Sequence, residues 1–323
     1  MATGGETQES MSSPKLSFDY LMEITNDFSD ERKLSGSPFG TLYKGIREDG
    51  TMIAVKKLHE HPQLPADKTF DKEVAHIMLL KHENIVELVG FCTEVRKKVE
   101  KTDNGYITKV GPESLLWYEY LPNGSLEDYL FGTKAAEGSS VANPNIGWDT
   151  RFKIVKGICQ GILFLHKLDK PIIHMDLNNR SIWLGKNMVP KIGNFGLSRL
   201  FGHEVTKENT RTIVGSFGNM APEYIHEGVI SAQLDIYSLG LMILEISTRE
   251  KNVPIENKLS GRVYIDKIRR DWTADHIASE YPSYDAESLQ QVYVCIEIGL
   301  ECVHLDRKKR PPIEEIIDRL NTI

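Results

Sequence analysis

His174-Met175-Asp176-Leu177-Asn178-Asn179-Arg180-Ser181, followed by Asn194-Phe195-Gly196 and then Ala221-Pro222-Glu223, is the stretch that decides the fold. Apolar segments near Ile172 and Ile182 flank its first part, so it reads as a polar loop held between two short strands. Working outward, Trp148 to His166, Gln233 to Thr248, Leu289 to His304 and Ile313 to Leu320 carry helical periodicity. Before Pro122-Asn123-Gly124 the texture changes to strands. Leu42 to Ile46 and Met52 to Lys56 are joined by the turn Glu48-Asp49-Gly50-Thr51, Ile85 to Cys92 and Leu115 to Tyr120 fit two more, and Phe70 to Leu80 is helical. The polar run Thr93 to Pro112, with Asn104-Gly105 as a turn signal, reads either as an extended hairpin or as a loop insertion. Gly132 to Gly147 reads as a turn-rich surface loop, and no internal repeat is visible.

Composition bounds the function. A chain of 323 residues, 40% hydrophobic and 26% charged, has enough apolar content for one large domain or two lobes, which excludes general disorder. The apolar run Leu239 to Ile246 is interrupted by Gly240 and Glu245 and is too short to span a bilayer. Met1 to Pro14 lacks the pattern of a secretory signal, and Ala2 stands where myristoylation requires glycine; the expected address is cytoplasmic, with attachment to the plasma membrane only peripheral and through a partner. Cys92, Cys159, Cys295 and Cys302 form no C-x-x-C, so they are expected reduced and mostly buried, the last two on one helix face. A net charge of −7 argues against sequence-independent nucleic-acid binding. His59, His61 and His82 read as solvated, and Trp117, Trp148 and Trp272 as core or rim aromatics.

In order, the chain carries Ala54-Val55-Lys56, Glu73, His174-x-Asp176, Phe195-Gly196, Ala221-Pro222-Glu223, Asp235 and Arg310. With this series the chain resembles the eukaryotic protein-kinase catalytic domain over roughly Phe28 to Leu320. Ile24-Thr25-Asn26-Asp27-Phe28-Ser29 and Tyr118-Glu119-Tyr120-Leu121-Pro122-Asn123-Gly124-Ser125-Leu126 are similar to plant receptor-like kinases and their cytoplasmic relatives. The resemblance implies an α+β two-lobe fold: a flexible leader over 1–17, an antiparallel-sheet lobe with one main helix over 18–122, and a larger helical lobe over 123–323. A chain of this extent suits a free-standing protein or one domain of a tandem kinase.

The resemblance also assigns roles, and several are degraded. Lys56 and Glu73 stand where the family pairs a phosphate-binding lysine with a helix glutamate, and Asp176 where a carboxylate accepts the substrate's hydroxyl proton. Asp176 is either a remnant base or a brace between its own loop and the Ser216 segment. The family's metal-binding aspartate is Asn194, its second metal ligand is Ser181, and its phosphate-contacting lysine is Asn178. The phosphate-covering turn reads Ser35-Gly36-Ser37-Pro38-Phe39-Gly40, with two glycines replaced by serine and a proline that offers no N–H. Gly40, Leu42, Ala54, Lys56, Tyr118, Glu119 and Leu121 are the implied nucleotide-binding positions. Trp183 follows Ser181 by two residues, so strand alternation sends its indole either into the adenine slot as an occluder or aside into the core. Met175 replaces the arginine that grips an activation-loop phosphate, which makes Thr206, Thr210, Thr212 and Ser216 poor candidates for closure through that contact. Ile77, Leu88, His174 and Phe195 keep the family's inter-lobe stack, with Asp235 as its anchor, and Glu223 and Arg310 keep a buried ion pair.

These readings lead to an expected pseudokinase, acting as a scaffold or sensor in plant intracellular signalling, immune or receptor-linked. Its expected partners are proteins, such as an active kinase, a receptor or a pathogen protein, and not nucleic acid. No cofactor is required, ATP binding is expected to be weak, and no metal site is expected to survive. Losing one preorganised charge stabiliser costs about 2.7 to 4 kcal/mol, so two losses remove several powers of ten from a typical rate. The alternative is a slow, ATP-dependent Ser/Thr kinase using Lys56 and Asp176.

Overall fold

The computed structural model describes residues 16–63, 65–78, 80–102, 105–132, 147–202, 207–253 and 261–323. The expected leader to Lys15, the interior of the Gly132 to Gly147 loop, Asn104 and Thr206 lie outside them. The chain divides into two units, one of Met1–His61, Pro65–Phe70 and Leu88–Tyr120, the other of Pro62–Leu64, Asp71–Glu87 and Leu121–Ile323.

In the first unit, α1 (Phe18–Ile24) is capped by Ser17, whose hydroxyl accepts from the Tyr20 N–H. Its Phe18, Leu21 and Ile24 form one apolar stripe, buried against Ile53, Val55, Leu115 and Trp117. The sheet comprises β1 (Lys33–Ser37), β2 (Gly40–Ile46), β3 (Met52–Leu58), β4 (Leu88–Thr102) and β5 (Gly105–Glu119), in spatial order β1-β2-β3-β5-β4. All neighbours are antiparallel. The β2–β3 turn closes as expected: Gly50 takes φ +79°, and Asp49 accepts from both the N–H and the hydroxyl of Thr51. The helix expected over 70–80 is α2 (Ala66–Ile77), which starts earlier and is shared between the units at Phe70 and Asp71.

Two strand readings change. Ile85 makes only an isolated bridge, to Ile192, and β4 begins at Leu88 with an irregularity before Gly90, where any Cβ would meet the Trp117 ring at 2.2 Å. The polar run Thr93 to Pro112 is a hairpin: β4 and β5 stay in register from Thr93↔Ser114 to Thr102↔Gly105. Of the two readings of this run, the hairpin is the one observed; its polar sequence has no alternating apolar pattern to choose between them.

The second unit is helical. After α3 (Leu126–Phe131) come α4 (Trp148–His166) and the short pairs of β6 (Ile172–Ile173) with β9 (Arg199–Leu200) and β7 (Ile182–Leu184) with β8 (Pro190–Ile192). Further along, β10 (Glu208–Asn209) pairs with β11 (Val229–Ile230), on either side of α5 (Pro222–Glu227). Then follow α6 (Ala232–Thr248), α7 (Arg262–Asp271), α8 (Ala274–Glu280), α9 (Ala286–Cys302) and α10 (Ile313–Asn321). Helix α6 is buried from Leu234 to Thr248, so it forms the axis of this core. Gly240 lets α9 approach, since a Cβ there would lie 2.5 Å from Cys302 Cβ. The four cysteines are free; Cys159, Cys295 and Cys302 are buried and Cys92 half-buried. No helix among the described residues is long and apolar enough to cross a membrane.

Candidate functional site

Two carboxylates on the core helix position the loop His174 to Ser181. Asp235, in the first turn of α6, accepts from the N–H of His174 at 2.8 Å and of Met175 at 2.9 Å, and from the His166 ring at 2.9 Å. Those contacts hold Met175 at φ +71°, a conformation costly for a residue with a long side chain. Glu245, at the other end of α6, accepts from the Asn179 amide and from the Asn252 N–H, each at 2.9 Å. Burial pushes its carboxyl up to about 8. The His174 ring meets Phe195 edge-on at 4.8 Å and contacts the Gly193 carbonyl at 2.8 Å, which ties the loop to the segment after β8.

On this frame the replaced residues have hydrogen-bonding partners of their own. Asp176 Oδ1 accepts from the Ser216 N–H at 2.9 Å and more weakly from Asn178 Nδ2 at 3.4 Å, while Asp176 Oδ2 faces Asn194 Nδ2 at 3.5 Å. Asn178 Nδ2 also donates to the Asp176 carbonyl at 2.9 Å and to the Ser216 hydroxyl at 3.1 Å. The Ser181 hydroxyl donates to the Asn178 carbonyl at 2.8 Å and accepts the Asn178 N–H at 3.1 Å. Asn178 Oδ1 accepts from Arg180 and Ser181, closing the loop on itself. Asn194 takes φ +67°, a conformation asparagine tolerates better than most residues. Sequence reading identified what Asn194 and Ser181 lack; it missed that an amide at 194 can donate toward Asp176 where an aspartate would repel it.

Trp183 is half-buried beside this loop, opposite Lys191 in the β7–β8 pair. Its indole edge runs along Gly193, where a Cβ would lie 3.3 Å from Trp183 Cδ1. Glu73 is fully buried, and Leu121 also belongs to this unit.

The first unit holds the remaining positions at which the resemblance implies nucleotide contacts. Leu42 pairs with Lys56 and Lys44 with Ala54, while Ala54 and Lys56 pair with Tyr118 and Leu116. Leu42, Ala54, Lys56 and Tyr118 therefore share one face of the sheet, with Glu119 next along β5. Lys56 is 7% exposed, and its Cε lies 3.3 Å from where a Gly40 Cβ would stand. In the turn between β1 and β2, the Phe39 N–H donates to the Ser37 hydroxyl at 3.2 Å, and that hydroxyl donates to the Gly40 carbonyl at 3.1 Å. The turn thus satisfies its own amide with the Ser37 hydroxyl.

Elsewhere, Arg310 and Glu223 form a bidentate pair at 2.6 and 2.7 Å. Trp117, Trp148 and Trp272 are buried. The solvated reading of the histidines needs correction. His59 contacts the Thr41 hydroxyl at 3.2 Å, His61 packs edge-on against Phe39, and His82 stacks on Phe164 at 4.5 Å, because half-exposed imidazoles still bury ring area. No group of three or more His, Cys, Asp or Glu side chains placed to hold a metal ion occurs among the described residues.

Residues 28–320 match the family model for protein tyrosine and serine/threonine kinases, and the chain belongs to that family. It is 34% identical over 322 residues to the receptor-like serine/threonine-protein kinase SD1-7 of Arabidopsis thaliana, covering 96% of this chain and 35% of that protein. It is also 34% identical over 320 residues to cysteine-rich receptor-like protein kinase 26 of the same plant, covering 96% of this chain and 44% of the relative. The chain thus spans less than half the length of these relatives. The five-stranded antiparallel unit and the helical unit are those of the protein-kinase fold.

Proposed function

We propose that this chain is a catalytically impaired kinase domain that acts by binding other proteins, as a scaffold or sensor in plant receptor or immune signalling. The observation that carries this reading is the closed hydrogen bonding around Asp176 and Ser181. Both polar functions of the Ser181 hydroxyl go to the Asn178 backbone, and the position opposite Asp176 holds a neutral amide. Magnesium takes hard oxygen ligands and normally at least one carboxylate besides phosphate oxygens, so Asn194 and Ser181 do not fit it. The Phe39 amide, held by Ser37, is likewise turned to internal use. With phosphate and metal contacts weakened together, the fold keeps its loop by hydrogen bonds that need no nucleotide. The similarity to receptor-like kinases supports the signalling context and protein partners such as an active kinase.

One observation favours a second reading, a slow Ser/Thr kinase: Lys56, Glu73 and Asp176 are all retained and all buried. Thermal shift with ATP, with and without Mg²⁺ or Mn²⁺, alongside phosphate incorporation by wild type and Asp176→Ala, separates the two. The binding reading expects no metal-dependent shift and no Asp176-dependent turnover; both together would establish the kinase. If Trp183 fills the adenine slot, Trp183→Ala is expected to create an ATP-induced shift that wild type lacks.

A further inference from the structure

Strand β4 is an outer strand of the five-stranded sheet, and among the described residues it pairs only with β5. Its free side is defined by one residue on the neighbouring strand. Pro112 stands opposite Val95 and has no N–H, so that pair cannot be one of the doubly bonded pairs of an antiparallel ladder. The alternation then turns the N–H and C=O of Val95 away from β5, and with them those of Thr93 and Lys97, two residues on either side. The close contact between the Thr93 and Ser114 hydroxyls, 3.0 Å, fits the narrower, non-bonded spacing at that pair. Among the described residues, no backbone hydrogen bond takes up these outward groups.

Apolar side chains beside this edge are open to solvent. Val95 is 73% exposed, and Val110 and Tyr106 on the same face of the hairpin are exposed as well. A long outer strand with exposed apolar residues is a template for pairing with another strand. The order of residues indicates which strand. With a second copy laid antiparallel about a two-fold axis at Val95, Val95 meets Val95, Glu94 meets Arg96 on both sides of the axis, and Thr93 meets Lys97. Lys97, the type of residue that protects sheet edges, thus avoids a second lysine. Glu94 and Arg96 keep part of their side-chain surface open even though they lie 3.5 Å apart within one chain, Arg96 also pairs with Asp19 at 2.8 Å and Glu94 accepts from the Phe18 N–H at 3.4 Å. The outward backbone groups of Val95, Thr93 and Lys97 fall in the doubly bonded pairs of that arrangement, and a self-complementary patch is what a two-fold dimer requires.

We propose that two copies of this chain associate through the outer edges of β4, antiparallel and in register at Val95, making one continuous sheet. Sedimentation velocity over the micromolar range tests it, with hydrogen exchange on the same samples. The expected result is a concentration-dependent doubling of mass with slowed exchange at the amides of Thr93, Val95 and Lys97. Val95→Glu, which sets two carboxylates face to face, is expected to abolish the dimer. Glu94→Arg, which opposes like charges, is expected to do the same, and Glu94→Arg combined with Arg96→Glu is expected to restore it. A monomer at every concentration would overturn the proposal and leave the edge to a strand of a different protein. A dimer indifferent to these substitutions would overturn it equally, by locating the contact elsewhere.

Discussion

The N–H of Ser216 donates to Oδ1 of Asp176 at 2.9 Å, joining the loop after β6 to the segment before α5. The Asp176 carboxylate is thus a bracket between two stretches of chain. Its structural work can be measured separately from any catalytic work.

Asp176→Ala leaves the Ser216 N–H and part of the Asn178 amide without an acceptor in a largely buried setting. The expected loss of stability is roughly 1 to 3 kcal/mol, with no nucleotide present. Urea unfolding followed by fluorescence checks it. An unchanged midpoint would mean that Asp176 has no bracing role.

Asn194→Asp places a second carboxylate at the position whose amide now faces Asp176 Oδ2. Without divalent metal the variant is expected to be less stable by roughly 1 to 2 kcal/mol, the equivalent of about one pKa unit of mutual repulsion. Added Mg²⁺ should recover the loss in the variant and leave wild type unmoved. Calorimetric melting in EDTA and in MgCl₂ distinguishes the outcomes.

Glu245 gives the protein a pH dependence of known sign. Burial holds its carboxyl proton up to about 8, whereas the unfolded chain releases it near 4.5. Between those values the folded state binds the extra proton, so this contribution to stability is full below about 4.5 and is lost as pH rises through 8. Glu245→Gln cannot titrate, and at pH 8 it is expected to equal or exceed wild type by roughly 1 to 3 kcal/mol, an advantage that vanishes near pH 5. Melting temperatures of both proteins across pH 5 to about 8.5 test this.

Arg310 has a fully buried guanidinium, held by Glu223, the Gln233 carbonyl and the His304 carbonyl. Arg310→Ala removes one partner of a buried pair and strands the other charge, with an expected cost of about 3 to 5 kcal/mol. Arg310→Met with Glu223→Leu should recover much of it, because no charge is then left buried alone. Chemical denaturation of the three variants provides the comparison.

Much of this was legible in the sequence. Trp148 to His166 reads as α4 with both ends correct, because Trp148, Phe152, Val155, Cys159 and Ile162 repeat at helical spacing and bury one face. The bidentate Glu223–Arg310 pair and the anchoring of His174 by Asp235 follow from family landmarks. The sequence does not decide between hairpin and loop over Thr93 to Pro112, since these strands are specified by pairing with each other rather than by an alternating apolar pattern. Nor does it mark helix α1, because a stripe of Phe18, Leu21 and Ile24 over so few residues gains meaning only from the sheet it covers.

The sequence by itself determined the family, and which residues stand at 181, at 194 and in the turn before β2. Only the tertiary structure decided what the replacements do. Asp176 and Ser216 are 40 residues apart, and Asn179 and Glu245 are 66 apart. A side chain's chemistry is written locally. The donor or acceptor that satisfies it is set by chain crossings that no local pattern encodes, so residue type is read from one position and hydrogen-bond partner only from two.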